Sequence, residues 1–144
     1  MFSKACEYGI RAVLFIAMKS THNERTRLKQ IAEEVGAPEA FTAKVLQNLV
    51  KCDIVESVTG PKGGFFVEKE NIENIKLIQI VKAIDGNKLM EECGLGLRKC
   101  DAAHPCPVHG QFKHIREQLI RMLERTSVMQ MASDIESGIT FLKY

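Results

Sequence analysis

The sequence predicts a mostly α-helical protein that contains one small β-hairpin. Apolar residues make up 45% of its 144 residues and recur mainly at helical spacing. Only two short runs, 54–58 and 65–67, have the composition of strands, and a turn rich in glycine and proline separates them. No run of 18 apolar residues occurs, so we expect no membrane span, and without a signal peptide we expect a cytoplasmic location.

Three helices are predicted in the first 52 residues. The helix over 4–19 is apolar almost all the way round, which indicates packing on several sides. Thr26 is expected to cap a short second helix that ends at Gly36. A third helix begins at Pro38 and runs to about Cys52. Its expected buried side chains are Phe41, Val45, Leu46 and Leu49.

The order of these elements predicts a winged helix-turn-helix. Two short helices joined by a glycine turn form the helix-turn-helix, and a hairpin directly after them forms the wing. The net charge of only +2 does not by itself predict nucleic-acid binding, so this prediction depends on the architecture. In this fold the second helix of the pair lies in the major groove, and we expect its solvent side and the wing to contact DNA. The candidate residues are Thr42, Lys44, Gln47, Thr59 and Lys62.

The second half is predicted to contain a helix, a loop and a long helix. The helix over 71–85 ends at Gly86, and a loop occupies about 87–106. A long helix then runs from about Pro107 to Arg125, and a short one follows near 128–135, capped by Thr126 or Ser127. We therefore divide the chain into a DNA-binding domain (1–86), a cysteine loop (87–106) and a dimerisation helix with its C-terminal tail (107–144).

The long helix carries apolar residues at heptad-like spacing, which is typical of helices that pair. Two such helices from two subunits would form a homodimer. The alternative, that the same side chains pack on their own domain, stays open. The residues of this seam are Val108, Phe112, Ile115, Leu119 and Met122.

Three cysteines in the loop predict a metal site. Cys93, Cys100 and Cys106 are separated by six and then five residues, and His109 follows the last of them. Thiolates bind soft or borderline metals, and a loop can bring several of them to one point. The spacings exceed those of common zinc ligand pairs, which favours an iron–sulfur cluster with His109 as the candidate fourth ligand.

Two other interpretations of the loop are possible from the sequence. A structural zinc ion or a metal-free thiol redox switch could use the same cysteines. Cys6 and Cys52 fall in helical runs and are expected to be buried, and His104 and His114 are expected to be solvated. No nucleotide-binding glycine loop or Ser/His/Asp pattern is present, so we do not expect an enzyme.

Several motifs resemble the IscR/NsrR/CymR family of bacterial winged-helix regulators. They are EYGIRA (7–12), QIA (30–32), VTGPKGGF (58–65), IVKAIDG (80–86) and the cysteine loop. The resemblance covers nearly the whole chain and implies a homodimer bound to palindromic promoter DNA. It also implies an iron–sulfur cluster on Cys93, Cys100 and Cys106 that sets DNA affinity.

The resemblance leaves the fourth ligand and the cluster type open. Some members use a histidine at the position of His109, and others use an acidic residue from the partner subunit's first helix, which matches Glu7. A further type has a histidine where this chain has Arg11, which cannot ligate. Members hold 2Fe–2S or 4Fe–4S clusters, and we expect 2Fe–2S. The wing position that is commonly arginine holds Thr59, and the first cysteine spacing is one residue longer than usual.

Overall fold

The computed structural model describes residues 1–98 and 100–142 and has the predicted winged-helix architecture. Its helices and strands follow the expected order, except that one predicted helix is divided in two and one additional short helix is present. In chain order they are α1 (Lys4–Thr21), α2 (Leu28–Val35), α3 (Glu39–Lys51), β1 (Glu56–Val58), β2 (Gly64–Phe66), α4 (Lys69–Ile72), α5 (Leu77–Asp85), α6 (Lys88–Glu91), α7 (His109–Arg125) and α8 (Val128–Glu136). Among the described residues, no helix is long and apolar enough to cross a membrane.

Helix α1 is the centre of the core. The Ser3 hydroxyl accepts a hydrogen bond from the backbone N–H of Cys6 at 3.0 Å and so caps its start. The helices α2, α3, α5 and α8 all pack against α1, as its apolar surface predicts. The fully buried large side chains include Leu14, Ile16, Ile31, Leu46, Leu49, Ile80 and Leu123.

The wing is a two-stranded antiparallel hairpin that is tied to the start of α2. Ser57 pairs with Phe65 in its register. Thr26 pairs with Phe65 from the other side, through N–H···O distances of 2.9 and 2.8 Å. The expectation that Thr26 caps α2 was therefore wrong: Thr26 is extended against the wing, and Arg27 occupies the cap position. A side chain at Gly63 would lie 2.1 Å from the Val58 carbonyl oxygen, so the turn needs glycine there.

The single helix predicted over 71–85 is two helices, α4 and α5. The break follows from pairing with the end of α7: Leu77 N–H donates to Thr126 O at 3.0 Å, and Val128 N–H donates to Ile75 O at 2.9 Å. This pairing brings α8 back onto α1, where Val128 and Ala132 are buried. The C-terminal segment therefore packs on the core as well as following α7.

Two further local predictions were wrong. Phe41, which was expected to be buried, is 37% exposed and packs edge-on against Tyr8, with ring centroids 5.7 Å apart. The segment that we expected to be a loop throughout also contains the short helix α6. At the start of α8 the expected cap is confirmed, since the Ser127 side chain accepts a hydrogen bond from the N–H of Gln130.

Candidate functional site

The start of the cysteine loop is held against α7. The Arg116 guanidinium donates to the Met90 carbonyl oxygen at 3.4 Å and also to the Glu92 carbonyl oxygen. Gly94 lies against the Phe112 ring, so closely that an added Cβ would lie 2.3 Å from a ring carbon. Cys93, which lies between these two contacts, is therefore fixed beside α7.

Cys93 has an environment that favours its thiolate. Its side chain is buried, yet its pKa is lowered, mainly because the backbone N–H groups of Leu95 and Leu97 hydrogen-bond to the sulfur. A hydrogen bond with the Cys106 side chain and the charge of Arg116 act in the same direction. Cys93 and Cys106 thus form one pair of neighbouring thiols, and thiolates are the form that binds metals.

Cys100 and His109 form a second pair. The Cys100 sulfur lies 3.5 Å from Nδ1 of His109, the first residue of α7. The His109 N–H donates to the Cys106 carbonyl oxygen at 3.0 Å, which links this pair to the first. Both Cys100 and Cys106 are half-buried.

The four candidate ligands thus lie in two pairs rather than around one point. Among residues 1–98 and 100–142, no three His, Cys, Asp or Glu side chains are close enough together to hold one metal ion. The donor types, three thiols and an imidazole, nevertheless suit an iron–sulfur cluster. Binding would require the loop to bring the two pairs together.

The alternative fourth ligand and the other histidines lie at the surface. Glu7 is exposed on α1, where its carboxylate is 2.6 Å from Lys4 Nζ. Arg11 donates to the Glu34 carbonyl oxygen at 3.1 Å. His104 and His114 are both exposed, as expected, and neither contacts the cysteine pairs in the described part of the chain.

The two cysteines outside the loop differ from each other. Cys6 is fully buried, and burial, followed by the nearby Asp85 carboxylate, raises the pKa of its thiol to about 12. Cys52 is exposed, so the expectation that it is buried was wrong. It follows the last residue of α3, where the helix has already left the core.

Four of the five predicted DNA-contacting residues lie at the surface. Lys44 and Gln47 are exposed on α3, and Thr59 and Lys62 are exposed in the wing turn. Thr42 is only 2% exposed, so its predicted place on the solvent side was wrong. It shares a helix face with the buried Val45, and its hydroxyl is satisfied within the helix by donating to Pro38 O at 3.0 Å.

Two arginines beside the wing were not predicted from the sequence. Arg25 Nη1 donates to the Lys62 carbonyl oxygen at 3.0 Å, and its guanidinium lies 4.9 Å from the Phe66 ring centroid. Arg27 Nη2 donates to the Pro61 carbonyl oxygen. The sequence offered no signal for them beyond their charge in a polar turn, because the contacts depend on how the wing folds back.

The seam of α7 is divided between the protein's own core and its surface. Of its residues, Val108, Phe112 and Leu119 are half-buried, and Leu123, next to the seam on the same helix, is fully buried. Ile115 and Met122, however, are 59% and 46% exposed. They lie two turns apart on the same side of the helix and form an apolar strip that the described chain leaves uncovered.

Comparisons with known proteins agree with this architecture. The profile of the Rrf2 family, described as iron-dependent transcriptional regulators, matches residues 2–134. An HTH-type transcriptional regulator of Aquifex aeolicus is 29% identical over 133 residues, which cover 91% of this chain and 90% of that protein.

Solved structures show the same fold. CymR, the global cysteine regulator of B. subtilis, superimposes with a TM-score of 0.76 at 20% identity, covering 92% of this chain and 96% of its own. IscR of T. potens gives 0.74 at 20% identity and covers 100% of this chain and 94% of its own. The regulator NsrR of Shouchella clausii is 25% identical over 126 residues, which cover 87% of this chain and 83% of that protein. These matches confirm the resemblance to IscR, NsrR and CymR. The chain belongs to the Rrf2 family of transcriptional regulators.

Proposed function

We propose that this protein is a homodimeric DNA-binding regulator whose promoter affinity is controlled by an iron–sulfur cluster. Cys93, Cys100, Cys106 and His109 would hold the cluster. The observation that carries the proposal is that these four donors already lie in two pairs beside the start of α7. The family's description as iron-dependent supports the same assignment.

The loop lies at a junction where ligation would affect the DNA-binding part. Asp85, at the end of α5, accepts hydrogen bonds from the N–H of Ser3 at 2.9 Å and from its hydroxyl, and so ties the loop's origin to the start of α1. Arg116 ties the loop to α7. A cluster that drew the Cys93–Cys106 and Cys100–His109 pairs together would order the loop's attachments to α1 and to α7. A bound cluster would supply iron whose oxidation state and ligands respond to the cell's chemistry.

The three-part division is proposed on the same grounds. Residues 1–86 would bind DNA, 87–106 would hold the cluster, and 107–144 would provide the dimer contact through the exposed strip of α7. Packing of α8 on α1 would then transmit changes at α7 to the helix-turn-helix.

His109 is our first choice for the fourth ligand, because its Nδ1 already faces Cys100. Glu7 from the partner subunit is the alternative, and its exposure leaves it accessible to a second chain. A 2Fe–2S cluster is proposed first and a 4Fe–4S cluster second. Several signals fit such a cluster: iron–sulfur status, nitric oxide, oxygen or redox state.

The DNA contacts follow from the surface residues of α3 and the wing. Lys44 and Gln47 would contact bases or phosphates in the major groove, and Thr59 and Lys62 would follow the backbone beside it. In a two-fold dimer the recognition helices would read palindromic half-sites about 10 base pairs apart, or a multiple of that spacing.

Purification without oxygen, followed by iron, sulfide and visible-absorption measurements, tests the cluster. We expect a coloured protein with the iron-to-chain ratio of a 2Fe–2S cluster. Cys93→Ala should lose iron, whereas Cys52→Ala, which removes an exposed cysteine outside the loop, should keep it. A colourless protein after reconstitution with iron and sulfide would refute the cluster. Comparing His109→Ala with Glu7→Ala would then identify the fourth ligand.

A metal-free thiol switch is the second candidate, favoured by the Cys93–Cys106 contact. Loss of two electrons to a peroxide-type oxidant would join these thiols as a disulfide and release their two protons. In that case DNA affinity would change on oxidation of metal-free protein and return with a thiol reductant. A structural zinc site would instead give DNA binding that does not respond to redox state.

A further inference from the structure

We infer that Arg25 and Arg27, together with Lys62, form a phosphate-binding site for the DNA backbone beside the wing. This inference depends on the proposed DNA binding and adds two residues to it. It starts from the positions of the two guanidinium groups, which lie on neighbouring carbonyl oxygens of the wing turn, those of Lys62 and Pro61.

The backbone around the two arginines is fixed. Thr26, which lies between them, pairs with Phe65 in both directions. The backbone N–H of Arg27 donates to Gln30 Oε1 at 2.9 Å, and this bond fixes the start of α2. Segment 25–27 and the wing turn therefore form one rigid unit that carries three cations on its exposed surface.

These three cations lack acidic partners. Among the described residues, no carboxylate lies within salt-bridge distance of Arg25, Arg27 or Lys62; the neighbouring Glu24 pairs with Lys19 instead, at 3.5 Å. Glu24, Glu68 and Glu70 line a surface hollow together with Arg25, but none of them lies within salt-bridge distance of its guanidinium. Cations that are held together and are not neutralised by a direct ion pair create a local positive potential that attracts phosphates.

Phosphate suits these side chains better than a base edge does. A guanidinium has more N–H donors than one carbonyl accepts, so each arginine keeps donors in a planar fork that matches phosphate oxygens. Because the wing carbonyls hold both groups at the surface, they are not free to extend into a groove. Thr59, which is also exposed in the wing turn, carries no charge, so the arginines provide most of the positive charge at this place.

Salt dependence of DNA binding tests the inference. The probe is a duplex recovered by selection from a random-sequence library with the reconstituted dimer, next to a scrambled duplex of equal length. Arg25→Gln and Arg27→Gln remove the charge but keep an amide donor for the wing carbonyl. Because the dimer carries each residue twice, each variant should reduce the slope of log affinity against log salt by about 1.8, which is about 0.9 for each protomer. Affinity should fall about 60-fold at 0.1 M salt, and the difference should vanish towards 1 M.

The controls separate charge from structure and from the proposed function. Arg125→Gln, at the end of α7, has the same change in net charge and should leave the slope unaltered. Arg25→Lys and Arg27→Lys should keep the wild-type slope. Preference for the selected over the scrambled duplex should be unchanged in every glutamine variant, since phosphate contacts carry no sequence information.

Two results would overturn the inference while leaving DNA binding intact. One is an unchanged salt slope together with an unchanged affinity in the Arg25→Gln/Arg27→Gln double variant. The other is lost affinity at an unchanged slope, which would mean that the arginines only position the wing. Failure of the wild-type dimer to enrich any duplex would instead refute the proposed function itself.

Discussion

Ile115 provides a quantitative test of the proposed dimer. Substitution by alanine removes three carbon atoms, each worth about 0.8 kcal/mol when fully buried. Because 59% of Ile115 is exposed in the single chain, a partner that covers it would gain about 1.4 kcal/mol from these atoms per protomer. A two-fold interface contains the residue twice, so Ile115→Ala should weaken dimerisation by about 2.8 kcal/mol, or about 100-fold in Kd.

Sedimentation velocity over a dilution series measures this Kd directly. Glu124→Ala is the matched control: Glu124 is exposed on the opposite side of α7, nine residues along the same helix, and its substitution should leave the Kd unchanged. If Ile115→Ala and Glu124→Ala dimerise like the wild type, the exposed strip of α7 is not the interface. Equal weakening by both would point to a general effect on α7 instead.

Three further predictions concern packing and titration. Leu123→Ala should lower the free energy of unfolding by about 2–5 kcal/mol in denaturant titrations, because Leu123 is the fully buried residue of α7. Gly94→Ala should displace the Phe112 ring and reduce iron content after reconstitution, whereas Gly110→Ala, where an added Cβ meets nothing within 4 Å, should not. The raised pKa of Cys6 means that the unfolded chain ionises this thiol first, so stability should be unaffected below pH 9.0 and decline towards pH 12. The free energy of unfolding of the wild type should decline more than that of Cys6→Ala over this pH range. Parallel curves of unfolding free energy against pH for the two proteins would contradict the prediction.

Helix-turn-helix and wing could be predicted from the sequence because their signals are local. Gly36 ends α2 in the left-handed conformation, with φ of 72°, as a glycine at a helix end suggests. The wing needs its glycine-rich turn, and Ser127 caps α8 through its own side chain. Each of these features depends on neighbouring residues, so a pattern within one segment identifies it.

Predictions failed where distant segments decide the structure. The apolar spacing of Ile72, Ile75 and Ile78 continues across the break between α4 and α5 and so does not reveal it. The break occurs because the backbone there pairs with residues about 50 positions later. Thr42 has a polar side chain, but its hydroxyl bonds within α3 and allows burial. The clamp of Arg25 and Arg27 on the wing depends on the same kind of long-range contact.

For the cysteine loop, the sequence predicted the candidate ligands but not the contacts that position them. Residue type and spacing singled out Cys93, Cys100, Cys106 and His109, and the structure pairs them two by two. Their pairing depends on the contacts of Arg116 and Phe112 with the loop, which lie on α7 and have no signature in the loop sequence.

The most direct test of cluster control is the DNA affinity of reconstituted wild type, Cys93→Ala and Cys52→Ala, measured anaerobically at one salt concentration with the selected duplex. Shifting occupancy fully between two extremes requires about 5.5 kcal/mol, so even partial control should be measurable. We predict that Cys93→Ala differs from the wild type at least about tenfold, while Cys52→Ala matches it. Equal affinities for all three proteins, with iron present in the wild type and absent from Cys93→Ala, would contradict control of DNA binding by the cluster.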